Sequence, residues 1–170
     1  MNRSRQEGKA EVVLRSISYP VAILSAVAAL VGTIALFPQQ FGHWRPEWVG
    51  LVVIYWVLRA PQAFGIVLAW CLGLLVDVLR ADILGMNALA MALIACMVLA
   101  SHQRLQLFRL AQQSLVVFLM IGVAHMVVHF LHQLLGEAGG SFNYLLPAVS
   151  SGLIWPVFRG FWDFVNRKLE

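Results

Sequence analysis

The sequence predicts an all-α membrane protein of six transmembrane helices with both termini cytoplasmic, and three observations lead there. Hydrophobic residues make up 61% of the 170 and charged residues 12%, with a mean hydropathy of +0.80, a balance that ordinary soluble domains do not show. Apolar stretches of about 15 to 22 residues are divided by short polar breaks, the pattern of spanning helices rather than the weaker alternation of a membrane barrel. The third observation is the placement of Lys and Arg. With the N-terminus inside, Arg3, Arg5, Lys9, Arg15, Arg59, Arg104, Arg109, Arg159, Arg167 and Lys168 are cytoplasmic, and only Arg45 and Arg80 lie outside. If the short second segment did not cross, the same twelve would divide five inside and seven outside, so the positive-inside rule selects six spans. The net charge of +4 therefore reflects residues at span ends that orient the chain and meet anionic lipid. A nucleic-acid role is rejected on this ground.

The first span covers residues 17–37 and reads as uncleaved, because it is longer than a signal core and Ala35-Leu36-Phe37 offers no small-x-small site. Within it Ala22 and Ala26, Ser25 and Ala29, and Ala28 and Gly32 repeat a small-xxx-small pattern suited to a helix partner. The second span, 46–60, opens at Pro46 and is only about 22 Å long. Trp44, Trp48 and Trp56 suit the interfacial belts, and Arg45 and Arg59 can snorkel from its ends. The third and fourth spans, 62–78 and 84–100, form a hairpin. Residues 101–113 are expected to lie on the membrane surface as a short amphipathic helix through Leu105, Leu107, Phe108 and Leu110. The fifth span, 114–135, and the sixth, 144–158, flank a glycine-rich loop, and a basic amphipathic tail closes the chain. No linker or repeat interrupts it, so 1–170 is one membrane domain.

The hairpin is the candidate core. Gly65, Ala69, Gly73 and Asp77 follow at four-residue steps, as do Ala88, Ala92, Cys96 and Ala100. Such stripes let helix backbones approach closely in lipid. Cys71 and Cys96 read as small packing residues. The turn between the helices carries Asp77, Arg80, Asp82, Gly85 and Asn87. A carboxylate within a span must face protein or water, and the expected arrangement pairs Asp77 with Arg80 while Asp82 caps the next helix. A structural or partner-binding role is favoured over transport or catalysis, because no second deep ionisable group accompanies Asp77.

Two further constellations carry potential chemistry. His125, His129 and His132 share one face of the fifth span, a spacing that could present imidazoles to zinc or haem. No cysteine or carboxylate stands in register beside them, and interhelical hydrogen bonding is the preferred reading. Ser150-Ser151-Gly152 resembles the rhomboid serine motif only poorly: Val149 stands where glycine is needed, and the serine span follows the histidine span. Serines bonding back to their own helix are commoner. No catalytic set and no cofactor is expected.

Three motifs in order resemble the MreD family of bacterial rod shape-determining membrane proteins. They are Arg45-Pro46-Glu47-Trp48 leading to Tyr55-Trp56 and Pro61; Gly73-Leu74-Leu75-Val76-Asp77 followed by Leu84-Gly85-Met86-Asn87-Ala88-Leu89; and Gly152-Leu153-Ile154-Trp155-Pro156. The resemblance covers nearly the whole chain. It implies a non-enzymatic inner-membrane scaffold of the elongation machinery, working beside MreC, the MreB filament, and the rod-specific glycosyltransferase and transpeptidase in lateral peptidoglycan synthesis. It also implies a fold similar to the substrate-binding subunits of energy-coupling-factor vitamin transporters. The alternative is such a vitamin-binding subunit itself, which would need a cavity of convergent polar and aromatic groups.

Overall fold

The computed structural model describes residues 19–35, 46–136 and 145–169. Six α-helices lie among them: α1 (Tyr19–Ala35), α2 (Trp48–Arg59), α3 (Ile66–Arg80), α4 (Met86–Leu107), α5 (Leu110–Leu134) and α6 (Leu146–Leu169). By length and composition α4 and α5 can each cross a membrane, and α1 and α2 contain shorter apolar helices. The outer surface agrees with a lipid environment. Ile23, Val31, Val67, Val78, Leu119, Phe130, Leu153 and Phe161 are among many large apolar side chains left exposed, far more than a protein in water presents.

The centre of the molecule is α2. Every residue from Val49 to Val57 is buried, as expected of a helix that is apolar on all sides. It packs on α1 and α4 and, less extensively, on α6 and α3. Trp56 is consequently an interior residue and not a belt residue: its indole N–H donates to Ser25 Oγ on α1 at 2.8 Å, and Ser25 donates in turn to the Ala22 carbonyl. A buried indole needs such an acceptor. The inward face of α1 is Val21, Ala22, Ser25, Ala29, Gly32 and Thr33, most of them small.

The most extensive helix pair is α3 with α4. A Cβ built on Gly73 would lie 2.4 Å from Ala88 Cα and 2.6 Å from the Asn87 carbonyl oxygen, so only glycine permits this approach. Ala69 and Asp77 share that buried face. Gly65 does not, since a Cβ there meets nothing within 4 Å; it is the extended residue before α3. The stripe on α4 also departs from expectation. Ala88 is buried, but the inward residues that follow are Met91, Ile94, Ala95 and Val98, while Cys96 and Cys71 are both exposed. Neither cysteine is a packing residue.

No separate surface helix occupies 101–113. Residues 101–107 continue α4, and α5 begins at Leu110 after a break at Phe108 and Arg109. Four hydrogen bonds hold this region in place. His102 and Gln106 reach the Leu58 carbonyl at 3.0 and 3.4 Å, and Gln113 donates to the carbonyls of Leu105 and Phe108 at 2.8 and 3.1 Å. At the other end of the chain α6 runs through Pro156 to Leu169 as one helix, so the basic tail is the last part of α6. Gly152 lets α6 lie against α5, where an added Cβ would come within 2.9 Å of Phe118 Cβ.

Candidate functional site

Asp77, Arg80, Asp82, Gly85 and Asn87 gather at one end of the bundle, around the α3–α4 turn. Asp77, in the last turn of α3, is fully buried. Its carboxylate accepts four hydrogen bonds: Oδ2 from the backbone N–H of Gly85 at 2.8 Å and of Ala88 at 3.3 Å, and Oδ1 from the backbone N–H and side-chain Nδ2 of Asn87, both at 2.9 Å. These amides belong to the start of α4, whose first N–H groups have no partner within the helix. A carboxylate there also meets the positive end of the helix dipole. Asp77 therefore caps α4 from another helix, and the expected Asp77–Arg80 pair does not form. Asp82 is exposed and is not the cap; its carboxylate accepts from Asn87 Nδ2 at 3.3 Å.

The turn is shaped to bring the donors round. Ala81 adopts φ 53° and closes α3, and Gly85 adopts φ 102° just before α4, a conformation that suits glycine. Both steps are needed for a two-helix hairpin in which one carboxylate faces the next helix's N-terminus.

Arg80 points to a residue of the second span that was not among the candidate site residues. Glu47, immediately before α2, is only 3% exposed. Arg80 lies 3.5 Å from its Oε1 and His125 Nε2 lies 3.4 Å from its Oε2, while the Glu47 backbone N–H donates to Ser151 Oγ at 2.8 Å. One residue thus joins α2 to α3, α5 and α6. Burying a carboxylate is tolerated only with such company. Glu47 stands within the Arg-Pro-Glu-Trp motif, and that was the available signal: a carboxylate directly before an all-apolar helix. Pro46 is buried beside it and Trp48 is half-buried; Arg45 lies outside the described residues.

The histidines and serines separate in the same way. His125 faces Glu47, whereas His129 contacts Gln133 of its own helix at 3.2 Å. Among the described residues, no three His, Cys, Asp or Glu side chains form a group that could hold a metal. Ser150 and Ser151 both donate back to the Pro147 carbonyl, at 3.0 and 2.6 Å, and neither is arranged as a nucleophile beside a base. Trp155 is fully buried at the opposite end of the bundle, where its Nε1 donates to Gln113 Oε1 at 3.4 Å; Pro156 lies in the middle of α6 beside it. Gln113, itself 2% exposed, is a second buried polar residue with no local signal to mark it.

Comparison with known proteins decides the family. The model of the rod shape-determining protein MreD matches residues 14–165. The chain belongs to the MreD family. A relative from Haemophilus influenzae, described as rod shape-determining protein MreD, is 31% identical over 144 residues, which cover 85% of this chain and 89% of the relative. No solved structure matches. Membership connects the chain with rod shape determination, and the helical, apolar-surfaced architecture agrees with a membrane protein.

Proposed function

We propose that this chain is a non-enzymatic adaptor of the cell-elongation machinery: one multi-pass domain of the inner membrane that couples an MreC-like protein and the MreB filament to the rod-specific glycosyltransferase and transpeptidase. Six spans with cytoplasmic termini, in an arrangement similar to the substrate-binding subunits of energy-coupling-factor transporters, complete the proposal. Membership of a rod-shape family is the observation that carries it. The interior supports it, because Asp77, Glu47, Gln113 and Ser151 are each engaged in tying helices together. An apolar cleft among the described residues points the same way. It has a volume of about 450 Å³, lies between α1 and α3 over α2, and is walled by apolar side chains including Val27, Val53, Phe64 and Leu72. A vitamin site would need convergent polar groups.

The test is a pull-down of the full chain from detergent-solubilised membranes. Co-purification of the MreC-like protein and the cell-wall synthases is expected. Recovery of transporter ATPase subunits in their place would overturn the adaptor reading.

A further inference from the structure

The two flanks of the bundle differ in height. On α5 every exposed residue between the exposed Gln112 and Gln133 is apolar, namely Leu115, Leu119, Val123, Met126 and Phe130, and the band is about 31 Å tall at 1.5 Å per residue. Its neighbour α6 carries a similar band, with Val149, Leu153, Val157, Phe161 and Phe164 exposed before Arg167 and Lys168. Both suit a hydrocarbon core of about 30 Å. On the other side of α4, which packs against both α3 and α5, α3 has only 15 residues, from Ile66 to Arg80, or about 22 Å. Tilting a helix shortens its projection, so α3 is too short for the bilayer that α5 fits.

The shortfall lies at one end. Arg80 and His125 meet the same carboxylate, Glu47, at 3.5 and 3.4 Å, which sets the end of α3 level with His125. Beyond that level α5 continues to Gln133, roughly 12 Å further, with Met126 and Phe130 still exposed. At the opposite end the helices keep step. His102 of α4 reaches the Leu58 carbonyl near the end of α2, Gln113 at the start of α5 reaches the Leu105 carbonyl of α4, and the turn into α3 is tied to α2 by Phe64 N–H donating to the Ala60 carbonyl at 2.9 Å.

The polar groups at the α3–α4 turn are held where they are. Asn87 Nδ2 is bound by Asp77 and Asp82, the Asp77 carboxylate is engaged by the first amides of α4, and Arg80 is directed at Glu47. Snorkelling, one remedy for a short span, is thereby closed to them. Asp82 is nonetheless exposed, and an exposed carboxylate must reach headgroups or water. Val78, Ile83 and Leu84 beside it are exposed too and suit acyl chains, so the hydrocarbon boundary passes through the turn.

We propose that the lipid leaflet beside the α3–α4 turn is locally thinned, its headgroups drawn down to Asp82, while the leaflet around α5 and α6 keeps its full height. Thinning is a known response of a bilayer to a short apolar segment. The partner of this face is lipid, selected by acyl-chain length and not by headgroup charge. The inference rests on the multi-pass membrane reading given above.

The experiment places single spin labels at Leu84, Met126 and Leu119, all exposed positions, in the full-length chain lacking Cys71 and Cys96 and reconstituted in dioleoyl phosphatidylcholine. Power saturation compares collisions with oxygen, which concentrates in hydrocarbon, and with a water-soluble nickel chelate. The Leu84 label should show a chelate-to-oxygen ratio severalfold above that of the Met126 label, although the two stand at similar heights in the bundle. In the shorter-chain dimyristoleoyl lipid the gap should narrow, because the whole bilayer is already thin. Equal shielding of Leu84 and Met126 from the chelate would place the turn in full-height hydrocarbon, and equal exposure of both would lower the membrane alike on each flank. Shielding of Leu84 from both reagents would mean that a second copy covers the turn. Each of these results overturns the step. Chelate exposure at Leu119 as well, inside the α5 band, would instead refute the membrane-spanning reading on which the step depends.

Discussion

Replacing Asp77 by leucine removes the acceptor for three backbone N–H groups and one side-chain amide at once. The Ala88 N–H is buried, and those of Gly85 and Asn87 are half-buried, so water can recover only part of the loss. Each amide left dry costs about 1–3 kcal/mol, and loss of the cap with its dipole interaction falls in the same range. With partial rehydration the sum is roughly 2–5 kcal/mol, a large share of a typical protein's stability. The lower insertion cost of leucine offsets some of it; a carboxylate near a span end costs less than the ~3 kcal/mol it would at mid-membrane. Asp77→Leu should therefore accumulate poorly and melt at lower temperature. Asp77→Asn keeps one acceptor oxygen but turns an amide donor toward the other N–H groups, and it should fall between, losing roughly 1–2 kcal/mol. Immunoblots of membranes and thermal melting in detergent read both. Wild-type abundance and melting in Asp77→Leu, with cell shape lost, would refute the capping argument and return Asp77 to the role of a partner contact.

Other positions give sharper or milder effects. Gly73→Ala should nearly abolish folded protein, because its Cβ would sit 2.4 Å from the Ala88 backbone; normal yield from membranes would show that α3 and α4 do not approach this closely. Glu47→Ala should cost about 1–3 kcal/mol, since Arg80 and His125 lose their shared carboxylate although both can turn toward water; the readout is the melting temperature, and no change would mean the junction contributes nothing. Topology is tested by single cysteines in a background lacking Cys71 and Cys96. Cysteines at Gln40 and Gly139 should label with an impermeant maleimide in intact cells and one at Gln112 should not; strong labelling at Gln112 would contradict six spans with cytoplasmic termini.

The order of the apolar helices was legible because apolar runs are bounded by prolines and charges, as at Pro46 and at Arg59-Ala60-Pro61, whereas the surface helix expected over 101–113 is divided between α4 and α5. The close approach at Gly73 was also legible. The limits of the small-residue stripes were not, for a geometric reason: four residues turn an α-helix through about 400°, so a four-residue stripe drifts about 40° per step. On the first stripe Ala69, Gly73 and Asp77 share the buried face, while Gly65 is lost because the helix begins only at Ile66. On α4 only Ala88 keeps the inward direction, and Met91, Ala95 and Val98 replace the rest. Polar partnerships were the least accessible. Glu47 meets Ser151 across 104 residues and Tyr55 meets Asp163 across 108, and no local pattern reports such pairs. Local charge spacing suggested Arg80 for Asp77, but the N-terminal amides of α4 compete better because they are already in place and have no other acceptor.

The central claim, that this chain works in rod shape determination, is tested most directly by removing it from the cell that makes it and restoring it from a second copy. Loss should turn rods into round cells with less lateral incorporation of labelled peptidoglycan precursor, and the restored wild-type chain should return both to normal. Rods that keep their shape and lateral labelling without the chain would contradict the account.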